Sequence, residues 1–142
     1  MSSQQDLERD ISDYKQYEEQ LSILEQQIAI VDETISNTQF AIDALKVLSE
    51  AEGEKEILVP LGPGINLPVT VRGGEKLIVN VGADVSVEMT PGETIELLEQ
   101  KTDELRATRE KLASTFKEVN NRMANLGEKI EKEYTESLLQ KR

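Results

Sequence analysis

A seven-residue apolar ladder runs through both ends of this chain and is missing from its middle. The first ladder is Leu7, Tyr14, Leu21, Ile28, Ile35 and Ile42, interleaved three residues on with Tyr17, Leu24, Val31 and Leu45. The second is Ile95, Phe116, Met123 and Ile130, interleaved with Leu98, Leu105, Leu112, Val119 and Leu126. Alternating spacings of three and four place one narrow apolar seam on a helix, as at the a and d positions of a coiled coil. Two seams of nearly equal length, joined by a compact middle, predict an antiparallel hairpin of helices. Helices of about 46 residues would each run roughly 70 Å at about 1.5 Å per residue.

Such a hairpin has a seam but no thick core, and the composition agrees. Only 37% of the 142 residues are hydrophobic and 4% aromatic, with no Trp. Stability is therefore expected to come partly from partner chains. The net charge of -12 is unevenly spread: residues 1–50 carry net -8, residues 51–92 net -3 and residues 93–142 net -1. An acidic first helix beside a mixed second one lacks the basic stripe that nucleic acid or an anionic membrane surface requires. Neither Cys nor His occurs, which excludes disulfides and thiolate or imidazole metal sites and fits a reducing, cytoplasmic setting. Met1-Ser2-Ser3-Gln4-Gln5-Asp6 has neither a basic segment nor an apolar one, so no signal peptide is expected. No apolar run approaches the roughly 18 residues of a membrane span.

Three regions follow: a helix over 1–50, strands over 51–90 and a helix over 91–142. Asp6 to about Ser49 contains no Gly or Pro. Asp10 and Thr38 interrupt its seam at d positions. Near the other end Phe40, Ala41, Ala44, Val47 and Leu48 widen it, which predicts packing on the strand region. Gly53 is placed to cap the helix. Four runs then alternate as strands do: Ile57, Val59, Leu61; Leu67, Val69, Val71; Leu77, Val79, Val81; and Val85, Val87, Met89. Gly62-Pro63-Gly64 and Gly82-Ala83-Asp84 break the first and last pairs, and Gly73-Gly74 reads as a further hairpin turn. Pro60 and Pro68 belong at strand ends, edges or bulges. Thr90-Pro91-Gly92-Glu93 is a helix start, with a Thr cap, Pro in the first turn and Glu three residues on. Thr102 and Arg109 stand at a positions of the second seam. Beyond Ile130, Glu133, Ser137 and Gln140 take the seam positions, and Gly127 weakens the helix.

Both ladders degrade at the same end of the predicted hairpin. There Leu7, Ile11 and Tyr14 would face Ile130, Tyr134 and Leu138, with Leu139 nearby. One partner helix cannot bury all of them, so this end is a candidate for binding apolar surfaces. The twelve strand residues from Ile57 to Met89 named above form an apolar face that two or four short strands cannot cover themselves. They are expected to be an oligomer interface, the alternative being a closed sheet within the chain.

The layout resembles the alpha class of the prefoldin family over nearly the whole chain. The local match lies in Glu56-Ile57-Leu58-Val59-Pro60-Leu61 and Lys76-Leu77-Ile78-Val79-Asn80-Val81-Gly82, followed by Val87-Glu88. Pro63 to Arg72 is less typical, and Ala83-Asp84-Val85-Ser86 lacks the aromatic residues often found after that glycine. The resemblance implies an α+β fold: a long antiparallel two-helix coiled coil with two β-hairpins at its base. It implies two alpha-type and four beta-type subunits joined through their hairpins into an oligomeric double β-barrel. It also implies capture of non-native polypeptides at the distal coiled-coil ends, delivery to a group II chaperonin and no nucleotide. The short tail suggests an archaeal-type subunit, and some alpha-like relatives self-assemble into filaments.

Catalysis finds little support in the residues. Without His or Cys, the common triads and dyads cannot form. Gly62-Pro63-Gly64 lacks the Lys-Ser/Thr of a phosphate-binding loop. Asp10, Asp13, Glu18 and Glu19 lack the Gly-centred acidic loop of a calcium site. No enzyme activity, cofactor or metal is expected. A chaperone subunit is the leading reading. The alternatives are a structural coiled-coil spacer or filament former, and a monomeric adaptor.

Overall fold

In the computed structural model, residues 2–140 are described; the first residue and the last two of the ranges 1–50 and 91–142 lie outside them. Helix α1 spans Ser2–Glu50 and helix α2 spans Pro91–Gln140. Between them lie β1 (Glu54–Gly62), β2 (Ile65–Arg72), β3 (Leu77–Gly82) and β4 (Val85–Met89). By packing, the chain divides into two units. One holds residues 1–33 and 106–142, the other residues 34–105.

In the first unit the heptad seam governs burial. Leu21 and Val119 are buried, and Leu7, Tyr14, Leu24, Ile28, Val31, Leu112, Phe116, Met123, Leu126 and Ile130 are half-buried. Two ion pairs fix the helix segments as antiparallel. Lys129 pairs with Asp10 and Arg109 with Asp32, so positions rise along α1 as they fall along α2. Gly127 does not interrupt α2. A β-carbon there would lie 3.4 Å from Tyr14 Cε2, so the ring rests against the glycine.

In the second unit Ile42 is 2% exposed, and Ile35, Leu45, Leu48, Ile95, Leu98 and Leu105 are half-buried. Thr90 caps α2 as expected: its Oγ1 accepts from the Glu93 N–H at 3.2 Å, and its carbonyl accepts from the Thr94 N–H at 3.0 Å. Pro91 needs no such partner and follows the cap. Thr94 and Thr102 are buried, and each hydroxyl donates to the carbonyl four residues back, at 2.8 Å. A polar group is thereby admitted to the seam without a partner on the other helix.

The strands form two separate two-stranded antiparallel sheets, β1 with β2 and β3 with β4. Gly73-Gly74 is therefore not a hairpin turn, as its local sequence suggests, but the link between the sheets. The Glu75 N–H donates to the Arg72 carbonyl at 3.3 Å, and Gly74 takes φ 78° at the position where a type II turn needs it. Gly73 is required by crowding instead. A β-carbon there would fall 1.9 Å from the Ala51 carbonyl oxygen, while the Gly73 N–H donates to the Gly53 carbonyl at 3.0 Å. Gly53 (φ 77°) thus joins the entry of β1 to the exit of β2.

The actual hairpin turns are Pro63-Gly64 and Ala83-Asp84. Gly62 faces Ile65 across the first, and Gly82 faces Val85 across the second. Ala83 and Asp84 both take positive φ, 50° and 60°, as a type I′ turn demands. Pro60 flanks a bulge and Pro68 sits in a strand with only one neighbour, the two kinds of place open to a strand proline.

The widened end of α1 corrects another expectation. Leu45 and Leu48 do line a small cleft with Val71, Leu77 and Pro91. Phe40, however, is 76% exposed, and Ala44 and Val47 are also exposed. These three share a stripe turned away from Ala41, Ile42, Leu45 and Leu48, and the chain's own strands leave it open.

Candidate functional site

Two apolar regions stand out, one in each unit. The first is an open groove of about 450 Å³ lined by Ile11, Tyr14, Gly127, Ile130 and Tyr134, with Lys15, Glu18 and Glu131 around it. Gly127 leaves room at its floor, because a larger residue would fill the space beside the Tyr14 ring. Of the residues expected to bind apolar surfaces, Ile11, Tyr14, Ile130 and Tyr134 are brought together here. Leu7, Tyr14 and Ile130 are half-buried in the seam. Ile11, Tyr134, Leu138 and Leu139 are exposed, Tyr134 by 57%.

Beside this groove the seam turns polar but does not end. Asp10 is only 7% exposed, and Glu133 and Ser137 are half-buried at heptad positions of α2. Lys129 Nζ lies 3.2 Å from Asp10 Oδ2 and 3.7 Å from Glu133 Oε1. Asp10 Oδ2 and Glu133 Oε2 have no aligned hydrogen bond, so the cluster is held by charge. Desolvation, and then the nearby Asp10 carboxylate, raise the Glu133 carboxyl above its ordinary range. Contact with Asp10 raises Lys129 in turn. The sequence held a usable signal for this cluster: a charged residue at a d position near the same end of each ladder. Asp10 is thus engaged by Lys129. Among the described residues no group of His, Cys, Asp or Glu is arranged to hold a metal ion.

The second region is the hairpins. Ile57, Val59, Val69, Val71, Leu77, Val79 and Met89 are half-buried, whereas Leu61, Leu67, Val81, Val85 and Val87 are exposed. Reading only alternate residues missed Leu58, Ile65 and Ile78, all strongly exposed, with Ile78 at 79%. The unbroken runs Ile57-Leu58-Val59 and Leu77-Ile78-Val79 were the available signal, since a strand apolar on both faces is built to be covered on both.

A family profile described as Prefoldin subunit matches residues 17–136. The chain belongs to the prefoldin family. A prefoldin subunit alpha of Methanococcoides burtonii is 31% identical over 88% of this chain and 91% of its own. A prefoldin subunit alpha of Thermofilum pendens is 30% identical over 75% of this chain and 83% of its own. A cryo-EM structure of a filamentous prefoldin from Methanocaldococcus jannaschii superposes with a TM-score of 0.67 at 27% identity, covering 79% of this chain and 93% of that one. The protein is thus a prefoldin alpha subunit of archaeal type. Its family is one of chaperone subunits rather than a known class of enzymes. Among the described residues no prefoldin helix here is long and apolar enough to cross a membrane.

Proposed function

We propose that this prefoldin subunit is an ATP-independent holdase of the cytoplasm. It binds non-native polypeptides through Leu7, Ile11, Tyr14, Ile130, Tyr134, Leu138 and Leu139 and passes them to a group II chaperonin. The groove between Ile11, Tyr14 and Tyr134 carries this reading, because it offers exposed apolar surface where the seam gives way to charge. Its shallow, open form suits weak and promiscuous contacts. Several such groups acting together would supply avidity in place of one deep pocket. Two alpha and four beta-type subunits would join through the hairpins, whose exposed Val, Leu and Ile residues need a cover.

The test is a mixed complex carrying Ile11→Ser, Tyr134→Ser and Leu139→Ser. The expected outcome is an intact complex that needs roughly tenfold more material to keep a guanidine-denatured enzyme from aggregating. Undiminished protection by that complex would remove these residues from the client site. A second reading, a self-assembling filament, is favoured by the filamentous prefoldin that this chain resembles. Sedimentation of the chain alone and with a beta-type subunit separates the two.

A further inference from the structure

The groove beside the charged cluster has a carboxylate near each end and an apolar seat between them. Its α1 wall is Ile11, Tyr14, Lys15 and Glu18. Its α2 wall is Gly127, Ile130, Glu131 and Tyr134. Each set steps by three, one and three residues, which keeps it on one face of its helix. The pairs Asp10–Lys129 and Asp32–Arg109 set the register and place Glu131 level with Arg9. Glu18 lies about nine residues further along α1, a separation of roughly 13 Å at about 1.5 Å per residue. About midway the Tyr14 ring rests on Gly127, where a β-carbon would stand 3.4 Å from Cε2. That glycine keeps the seat open to an incoming side chain.

The charges at the two ends are unspent. Glu18 and Glu131 are exposed, and among the described residues neither has an ion-pair partner. Two nearby bases are already engaged, Arg9 with Asp6 at 3.6 Å and Lys129 with Asp10 at 3.2 Å. Asp10 and Glu133 share Lys129, so their cluster adds no positive charge to the groove. Over residues 4–20 and 124–142, acids outnumber bases ten to six. Two of the chain's three tyrosines line the groove, and an aromatic face attracts cations as well as apolar groups.

An apolar floor, aromatic walls and anionic ends complement one class of sequence. We infer that the groove selects non-native segments in which two basic residues flank an apolar one, each separated from it by a single residue of any kind. In an extended chain alternate side chains share a face, and about four residues span roughly 13 Å. The two bases then reach Glu131 and Glu18, while the central side chain enters over Gly127 beside Tyr14. This selection rests on the groove being the client site, as proposed above, and adds which exposed segments it holds first. Complementary charge of this kind sets specificity and encounter rate more than total affinity. Lys15, a cation on the same wall, opposes the pattern and so supplies a test of sign.

The test is fluorescence anisotropy of the full chain with three synthetic peptides that carry an uncharged dye. One has the core Lys-Leu-Phe-Leu-Lys, one the core Gln-Leu-Phe-Leu-Gln, and one the first composition reordered as Leu-Phe-Leu-Lys-Lys. At low ionic strength the spaced-lysine peptide should bind roughly threefold to tenfold tighter than the glutamine peptide, the gain open to two exposed ion pairs. The reordered peptide should fall between them. Salt at about 1 M, where screening acts within roughly 3 Å, should erase the difference. Glu18→Gln with Glu131→Gln should bring the lysine and glutamine affinities together, and Lys15→Gln should drive them further apart. Equal binding of the lysine and glutamine peptides, equal binding of the spaced and reordered ones, or a ratio that none of these substitutions moves would each overturn the selection. Ile11→Ser with Tyr134→Ser separates that failure from failure of the site. Peptides that bind equally and all weaken in this variant would leave the groove as a client site that does not read charge. Peptides that bind the variant as they bind the wild type would remove the groove from client binding, and the selection with it. A second copy of the chain seated in the groove would make peptide affinity fall as the chain is concentrated, and that result too would overturn the selection.

Discussion

In the unit that carries the hairpins, the buried polar residues are threonines that bond to their own helix. In the other unit, among the described residues, it is Asp10, charged and paired across to Lys129 of the facing helix. Thr94 and Thr102 satisfy their hydroxyls on carbonyls four residues back and ask nothing of α1. Asp10, Lys129 and Glu133 depend on one another, and two of their carboxylate oxygens lack an aligned hydrogen bond. The glycines repeat the contrast. Gly73 admits a backbone carbonyl that no other residue would clear, whereas Gly127 admits the edge of a ring. The buried polar contacts are thus short, uncharged and within one helix in the unit with the hairpins, and charged and between helices in the other, where an apolar groove lies open beside them.

The largest expected effect breaks the first kind of contact. Gly73→Ala places a β-carbon 1.9 Å from the Ala51 oxygen, so the backbone joining α1 to the sheets must move. A loss of about 2–3 kcal/mol is expected in urea unfolding, within the range for overpacking. The charged cluster would be unaffected. An equal loss from Gly127→Ala would show that the two units tolerate crowding alike.

A smaller effect isolates the charged cluster. The folded state raises the Glu133 carboxyl above its ordinary value of 4.5, so it binds this proton more readily than the unfolded chain does. Between 4.5 and the raised value, the contribution of Glu133 to stability therefore grows as pH falls, and at neutral pH its charge is a cost. Glu133→Gln should melt above the wild type near neutrality, with a gap that closes as pH approaches 4.5. Lys129 has the same sign in a higher window: its stabilisation is complete below 10.5 and is lost as pH rises through its raised value. A Glu133→Gln gap that is the same at every pH would remove desolvation of this carboxyl from the account.

Much of this contrast is legible in the sequence, and the rest fails for definite reasons. The ladders name the seam, and Thr90-Pro91-Gly92-Glu93 names the start of α2, because both rest on local periodicity and capping. Asp10 and Glu133 are each visible as seam breaks, but their meeting depends on the register between helices. Gly73-Gly74 has the local chemistry of a hairpin turn. Only the proximity of Ala51 shows that one glycine serves close approach and the other positive φ. Phe40 and Val47 are apolar in the sequence, yet apolarity alone does not say whether their cover lies in the same chain. Ile11, Tyr14, Ile130 and Tyr134 were readable as one group because the antiparallel pairing of the seams placed them together.

The smallest effect bears on the groove itself. Glycine within a helix costs roughly 1 kcal/mol relative to alanine. At Gly127 the added β-carbon would stand 3.4 Å from Tyr14 Cε2, which is contact without collision. Gly127→Ala should therefore stabilise the protein by about 0.5–1 kcal/mol, a gain that thermal unfolding can resolve. The same methyl group enters the floor of the groove between Tyr14 and Ile130. If non-native chains insert a side chain there, the stabilised variant should hold clients less well than the wild type. A more stable subunit with unchanged holdase activity would move client binding outward, to the exposed Tyr134, Leu138 and Leu139.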